Sequence, residues 1–371
     1  MTHTPDVAVM KTVPLSKPHL DAEIRAAVLS ALESGRYILA EQCAAFEHEL
    51  AAYVGARHCV LSSSWTAAVL LLHEAMGLRA GDEVIVPAHT AFPTIEPLIH
   101  RGAVPVFVDV DDTYCIDPAA AQAAVTSRTV GIIPVHLYGH PADMDPILQL
   151  AARHALWVLE DCAQAHGARY RGRKVGSIGT ASAFSFYPSK NLNVFGDGGC
   201  IMTDDHGVAE KVRMLRDHGR TSKYTHQYVG YNLRFNEIQA AAGRVMLRQL
   251  DRLNAHRRRV AARYRDRLGR LVELPPERSW AEAVYHMFVI ATPQRDALAE
   301  FLRRHGIGTG VHYPIPNHRQ PAIVERFNGL PVLPRTERLV HEILSLPVYG
   351  DLALEDVDYV CERMSDFMRG R

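Results

Sequence analysis

Seven short β-rich segments recur between residues 58 and 203: His58–Ser62, Glu83–Pro87, Val104–Asp109, Val130–Val135, Ala155–Glu160, Ala183–Tyr187 and Gly199–Thr203. Most are continuously apolar rather than alternating, the pattern of strands covered on both faces. Helical stretches separate several of them. In Trp65–Met76, for example, Ala68, Leu71, Leu72 and Ala75 share one face. This alternation predicts an α/β large domain with a mainly parallel, mixed seven-stranded sheet between helices. A long polar helical stretch from about Phe235 to Leu268 reads as a bridge to a smaller α+β C-terminal domain. There the expected elements are a strand at Tyr285–Ala291, a helix at Arg295–His305 capped by Gly306, a strand at Gly308–His312 and a final helix at Leu354–Met368. The expected division is residues 1–250 and 251–371, with residues 1–35 packing on the smaller part.

Composition narrows the partners. Lys plus Arg and Asp plus Glu both number 41, so no global charge favours nucleic acid or a membrane surface. The short basic run Arg257–Arg259 reads as the solvated side of a helix. No apolar run approaches the ~18 residues that cross a bilayer, and residues 1–20 lack a charged segment followed by an apolar one. The six cysteines are scattered without a CxxC pair and read as reduced, buried thiols. The expected location is cytoplasmic.

Three local features carry chemistry, and each has a plain reading beside it. Leu156–Glu160 is apolar until its end, and Asp161 follows. A carboxylate beyond a strand's carboxyl end meets a ligand in an open α/β sheet, or else caps a helix or turn. Lys190 comes two residues after Pro188, which breaks the Ala183–Tyr187 segment. Its amine is either a nucleophile freed by desolvation or a lysine snorkelling to the surface. Ser62–Thr66 opens a helix, so its free N–H groups form either a phosphate site or a simple cap. Gly196-Asp-Gly-Gly199 reads as a tight turn that lets backbone approach the site. His136 and His140 lie in a turn and are not read as metal ligands; no metal is expected. His166 is either near a cofactor or structural. No GxGxxG follows the first strand, and neither GxxxxGK[ST] nor GxSxG occurs.

In combination these residues resemble the DegT/DnrJ/EryC1/StrS sugar aminotransferase family, within the fold-type I pyridoxal-phosphate (PLP) enzymes. The resemblance runs from about Val13 to Met368 through ordered segments, among them Gly35-Arg-Tyr-Ile-Leu39, Thr90-Ala-Phe92, Pro134–Gly139, Glu160–Gly167, Phe184–Leu192, Gly230–Arg234 and His312-Tyr-Pro314. The resemblance implies that Lys190 carries PLP and shuttles protons, and that Asp161 holds the ring nitrogen protonated. It assigns Gln164 to the cofactor hydroxyl and Phe92 to stacking on the ring. Trp65 (by its backbone), Thr66 and Ser185 would bind the phosphate. Asn232 would reach the phosphate of a neighbouring subunit, making a homodimer with shared sites; Arg234 is implied to be structural or near the subunit boundary. His312 and Tyr313 are implied to lie near the sugar.

The implied reaction moves an amino group from L-glutamate or L-glutamine to a keto-sugar, in amino-sugar or antibiotic biosynthesis. It is ping-pong, with pyridoxamine phosphate (PMP) between the two halves. The segment before Lys190 resembles the nucleotide-sugar branch; a keto-cyclitol or aminoglycoside-pathway acceptor is the alternative. A PLP-dependent sugar dehydratase and a non-catalytic PLP-binding protein are two further readings. Lys190 argues against the first, because dehydratase relatives carry His there. The Lys190, Asp161 and Gln164 set argues against the second. One departure stands out: many relatives have Gly where this chain has Trp65, an indole expected to reshape the pocket.

Overall fold

The computed structural model describes residues 11–370. Seven strands form the main sheet: β1 (His58–Ser62), β2 (Glu83–Pro87), β3 (Val104–Val108), β4 (Thr129–Ile132), β5 (Trp157–Asp161), β6 (Ala181–Ser185) and β7 (Gly199–Thr203). Their order is β1-β7-β6-β5-β4-β2-β3. All pairs are parallel except those of β7, which runs antiparallel to both β1 and β6. Every residue of β2, β6 and β7 is buried, which is why these segments lack polar alternation. One apolar cluster covers each face, one containing Phe46, Phe186 and Leu250 and the other Leu71, Leu72 and Val86.

The helix Glu237–Leu268 ties the chain together. Its first half, through Leu253, packs in the Phe46 cluster. Its second half, from Val260, joins a third cluster with Phe288, Leu302, Leu344 and Val360. There β8 (Phe288–Ala291) pairs antiparallel with β9 (Ile343–Leu346), beside the helices Arg295–Arg304 and Leu354–Met368. Val13 is buried in this cluster, and its N–H donates to the Gly306 carbonyl. The helix Ala22–Glu33, in contrast, buries Ile24 in the Phe46 cluster. Residues 1–10, part of the segment expected to pack on the smaller region, lie outside the described residues.

Several expectations need correction. Gly308–His312 forms no strand; a single bridge joins Gly310 to Ser345. The segment expected at Ala183–Tyr187 sits two residues earlier, so Lys190 follows the strand by a loop. The strand expected from Tyr285 begins only at Phe288. Arg257 does not face solvent: it is 6% exposed, and its Nη1 donates to the carbonyls of Tyr285, His286 and Val348. Gly306 does follow its helix with φ +73°, a conformation suited to glycine. All six cysteines are free and buried, and no helix among the described residues is long and apolar enough to cross a membrane.

Candidate active site

Because β1, β2, β5 and β6 point the same way, their carboxyl ends share one edge of the sheet with the start of β7. Ligands bind at such an edge in open α/β sheets. A cavity of about 230 Å³ opens there. Ser64, Trp65 and Thr66 after β1, Thr94 after β2, Asp161 at the end of β5, and Ser185 and Lys190 from and after β6 all line it.

Asp161 is 4% exposed. Its Oδ2 accepts from Thr94 Oγ1 at 2.9 Å and its Oδ1 from the Ala163 N–H at 3.1 Å. Burial raises its pKa; those two donors and the nearby Lys190 amine pull the other way without cancelling the rise. Lys190 responds oppositely. Burial lowers its pKa to about 8, against the attraction of Asp161. A free amine is therefore well represented close to neutral pH.

The Ser64 hydroxyl caps the helix Trp65–Met76 by accepting from the Ala67 N–H at 3.0 Å. The N–H groups of Trp65 and Thr66 belong to the first helical turn and find no acceptor among the described residues. They carry the partial positive charge of a helix start. The Trp65 indole does not fill the cavity. It is turned into the core, 6% exposed, and its Nε1 donates to the Ala183 carbonyl at 3.3 Å. The expected reshaping of the pocket by its bulk is thereby limited.

Gly199 explains how this turn reaches the sheet. A Cβ there would lie 2.6 Å from both the Ser64 carbonyl carbon and the Trp65 nitrogen. Gly199→Ala is therefore expected to push the helix start away, weakening phosphate and cofactor binding by about 10-fold or more and lowering Tm. Cofactor titration and thermal melting check this.

The other site candidates fall in different places. Phe92 does not line the cavity. Its neighbours Ala91, Pro93 and Thr94 do, while Phe92, partly buried, packs against the Leu71 cluster. Gln164 is buried with both ends engaged: Oε1 accepts from the Tyr138 N–H at 2.7 Å, and Nε2 donates to the Tyr313 hydroxyl at 3.1 Å. Tyr313 is thus joined to the Asp161 segment, and burial pushes its pKa up to about 12. His312 Nδ1 pairs with Ser345 Oγ at 2.9 Å. Asn232 is exposed, its Oδ1 held by Arg234 Nε at 3.0 Å, and it does not line this chain's own cavity. His166 is buried against Phe184 and Phe186.

Sequence reasoning passed over Glu160, whose side chain alternates away from that of Asp161. It is fully buried; its carboxylate accepts from His136 Nε2 at 3.0 Å and from the N–H groups of Gly176, Ile178 and Gly179. Burial favours its neutral form, but these donors outweigh that and hold its pKa low. His136 Nδ1 accepts from the Ala142 N–H, so Nε2 carries the proton. With Cys162 nearby this group has the composition of a metal site, yet its hydrogen bonds already occupy the His and Glu atoms. His136→Ala is expected to destabilise the fold by about 2–4 kcal/mol, read by denaturant unfolding, because it removes one buried hydrogen bond to a carboxylate and leaves a cavity.

A sheet-edge cavity holding an amine, a carboxylate and free helix N–H donors, on this sheet order, defines the class: the fold is that of fold-type I PLP aminotransferases. Residues 18–365 match the DegT/DnrJ/EryC1/StrS aminotransferase family, and the chain belongs to it. It is 44% identical over 350 residues to the dTDP-3-amino-3,4,6-trideoxy-alpha-D-glucose transaminase of Streptomyces venezuelae, covering 92% of each chain. It is 42% identical over 337 residues to the UDP-N-acetyl-3-dehydro-alpha-D-glucosamine 3-aminotransferase of Acidithiobacillus ferrooxidans, covering 90% of this chain and 91% of that one. The solved structure of S. venezuelae DesV in complex with a ketimine intermediate superposes with a TM-score of 0.91 at 42% identity over 94% of both chains. A putative sugar aminotransferase of Streptococcus pneumoniae, solved in PLP and PMP forms, gives 0.92 at 25% identity, covering 97% of this chain and 98–99% of the other.

Proposed function

We propose that this aminotransferase holds PLP on Lys190 and moves an amino group from L-glutamate or L-glutamine to a nucleotide-linked keto-sugar. The observation that carries this reading is the convergence of the Lys190 amine, the Asp161 carboxylate and the unpaired Trp65 and Thr66 N–H groups on one cavity. The residues present suit the group: an anion site for its phosphate, a carboxylate for its ring nitrogen and a nucleophile for its carbonyl. Bound there, the cofactor supplies a carbonyl that amines attack and a ring that withdraws electrons.

The chain's own residues do the rest. The Trp65 and Thr66 N–H groups, with the Thr66 and Ser185 hydroxyls, hold the phosphate. Asp161 keeps a proton on the ring nitrogen; Thr94 and the Ala163 N–H fix its orientation. Freed when the donor amine takes its place, Lys190 Nζ would take the proton from the donor Cα and deliver it to the former carbonyl carbon of the cofactor, acting as base and then acid. Donor and acceptor take turns in one pocket. Gln164, held by the Tyr138 N–H and the Tyr313 hydroxyl, serves the cofactor hydroxyl, and His312 and Tyr313 stand at the sugar side. The exposed Asn232, braced by Arg234, serves a neighbouring subunit's phosphate in a homodimer.

The relatives support the acceptor class: they are transaminases of a dTDP-linked amino-trideoxyglucose and a dTDP-linked amino-dideoxygalactose, and a 3-aminotransferase of a UDP-linked 3-dehydro sugar. The test is to convert the holoenzyme with glutamate or glutamine, then add nucleotide-linked keto-sugars and keto-cyclitols separately. The reading predicts that only the nucleotide-linked sugars restore the starting spectrum and yield an amino-sugar. Restoration by cyclitols alone, or formation of a dehydrated sugar, contradicts it.

A further inference from the structure

A second cavity, of about 70 Å³, lies beside the first and is lined by Ser16, Ser189, His286 and His312 together with apolar side chains. Ser189 precedes the candidate cofactor lysine directly. The notable wall is His286. It is 4% exposed, and neither ring nitrogen has a hydrogen-bond partner among the described residues. One of those nitrogens carries a proton even in the neutral ring, so a buried N–H lacks an acceptor, a costly arrangement unless something else supplies one. Burial holds His286 well below its ordinary pKa, and the Lys190, Arg257 and His312 charges act in the same direction.

The charged groups that act on His286 from outside the imidazoles, Lys190 and Arg257, are both positive. Arg257 stands in the adjoining polar recess, which shares Ser16 and Ser189 with this cavity. Its Nη1 meets only backbone carbonyls, and its Nε and Nη2 donate to no described atom. Asp351, the one carboxylate that acts on Arg257, is already bonded to His19 at 2.6 Å. Among the described residues, then, two hydroxyls and two imidazoles face a space beside Lys190, a guanidinium stands in the adjoining recess, and no carboxylate lines the space. The space is large enough for a carboxylate.

We propose that this cavity receives a carboxylate of the amino donor, which accepts hydrogen bonds from His286 and the Ser16 and Ser189 hydroxyls. The proposal rests on the aminotransferase reading above and assigns the donor half of its specificity to this pocket. A bound carboxylate satisfies the orphaned imidazole N–H and offsets the local positive charge. It also places the donor next to the lysine it displaces.

The test compares holoenzyme and the variants His286→Gln and Ser16→Ala. The glutamate concentration that half-saturates the first half-reaction is expected to rise about 10- to 100-fold in His286→Gln and less in Ser16→Ala. The cofactor spectrum, Tm and the sugar half-reaction should stay near wild type. Calorimetric titration with maleate, an unreactive dicarboxylate, gives a readout independent of turnover: wild-type holoenzyme binds it and His286→Gln binds it at least 10-fold more weakly. Unchanged glutamate saturation and maleate affinity in both variants would overturn the pocket. A wild-type holoenzyme that binds maleate through His286 but reacts with neither glutamate nor glutamine would instead overturn the donor reading and leave the pocket standing. Should His286→Gln not fold, Ser16→Ala carries the comparison alone.

Discussion

Lys190→Ala is expected to lower the transamination rate by about 10⁴-fold while leaving the fold and the cavity intact. The side chain lies in a loop after β6 and makes no side-chain hydrogen bond among the described residues, so its removal breaks no described structural pair. What disappears is the amine that meets the cofactor carbonyl and carries the proton. The variant should still take up PLP weakly through the phosphate site. Arginine at the same position keeps the charge but not a neutral amine, and should be equally inactive. The wild-type amine also sets a pH signature. With its pKa lowered to about 8, the rate of PLP attachment to apoenzyme should rise with pH and level off above about 8. An ordinary lysine would keep gaining to above 10. The sign follows from chemistry: only the unprotonated amine attacks. Stopped-flow absorbance across pH 6–10 checks it.

Asp161→Asn should cost roughly 10³-fold in kcat/KM with little loss of stability. Asparagine matches the shape of aspartate and can keep the Ala163 N–H and Thr94 contacts by choosing its amide orientation. It cannot hold a proton on a ring nitrogen by charge. Removing an ionised group from a site that is 4% exposed also relieves desolvation, so Tm should stay level or rise. A fall in Tm parallel to the fall in rate would mean that Asp161 acts mainly as a structural cap. Measuring kcat/KM and Tm on the same preparation separates the two.

The strand ends were the legible part of this protein. Apolar runs terminated by Asp161 and followed by Lys190 announced the sheet edge, because buried strands admit polar residues only where they leave the core. The seven strands of the sheet were visible for the same reason, although individual boundaries slipped: β6 begins at Ala181, since Ala181 and Ser182 are small enough to lie in the core without looking like strand formers. What escaped depends on long-range packing. Arg257 carries a charge, yet it lies on the stripe that also buries Leu250, Leu253, Asn254, Val260, Ala261 and Tyr264. Helical spacing was the available signal, and composition masked it. Glu160 sits next to Asp161 and faces the opposite way; its partners His136, Gly176, Ile178 and Gly179 come from both sides in sequence and meet only in the fold. His286 gave no signal at all, since an isolated histidine before an apolar strand is ordinary.

Everything chemical assigned to this protein depends on which nitrogen takes hold of the cofactor. Borohydride reduction of the PLP-loaded protein, followed by proteolysis and mass mapping, fixes that atom permanently. The account predicts a single pyridoxyl label, on the peptide containing Ser189-Lys190-Asn191. Label on another lysine, or a reduced protein carrying none, would contradict it.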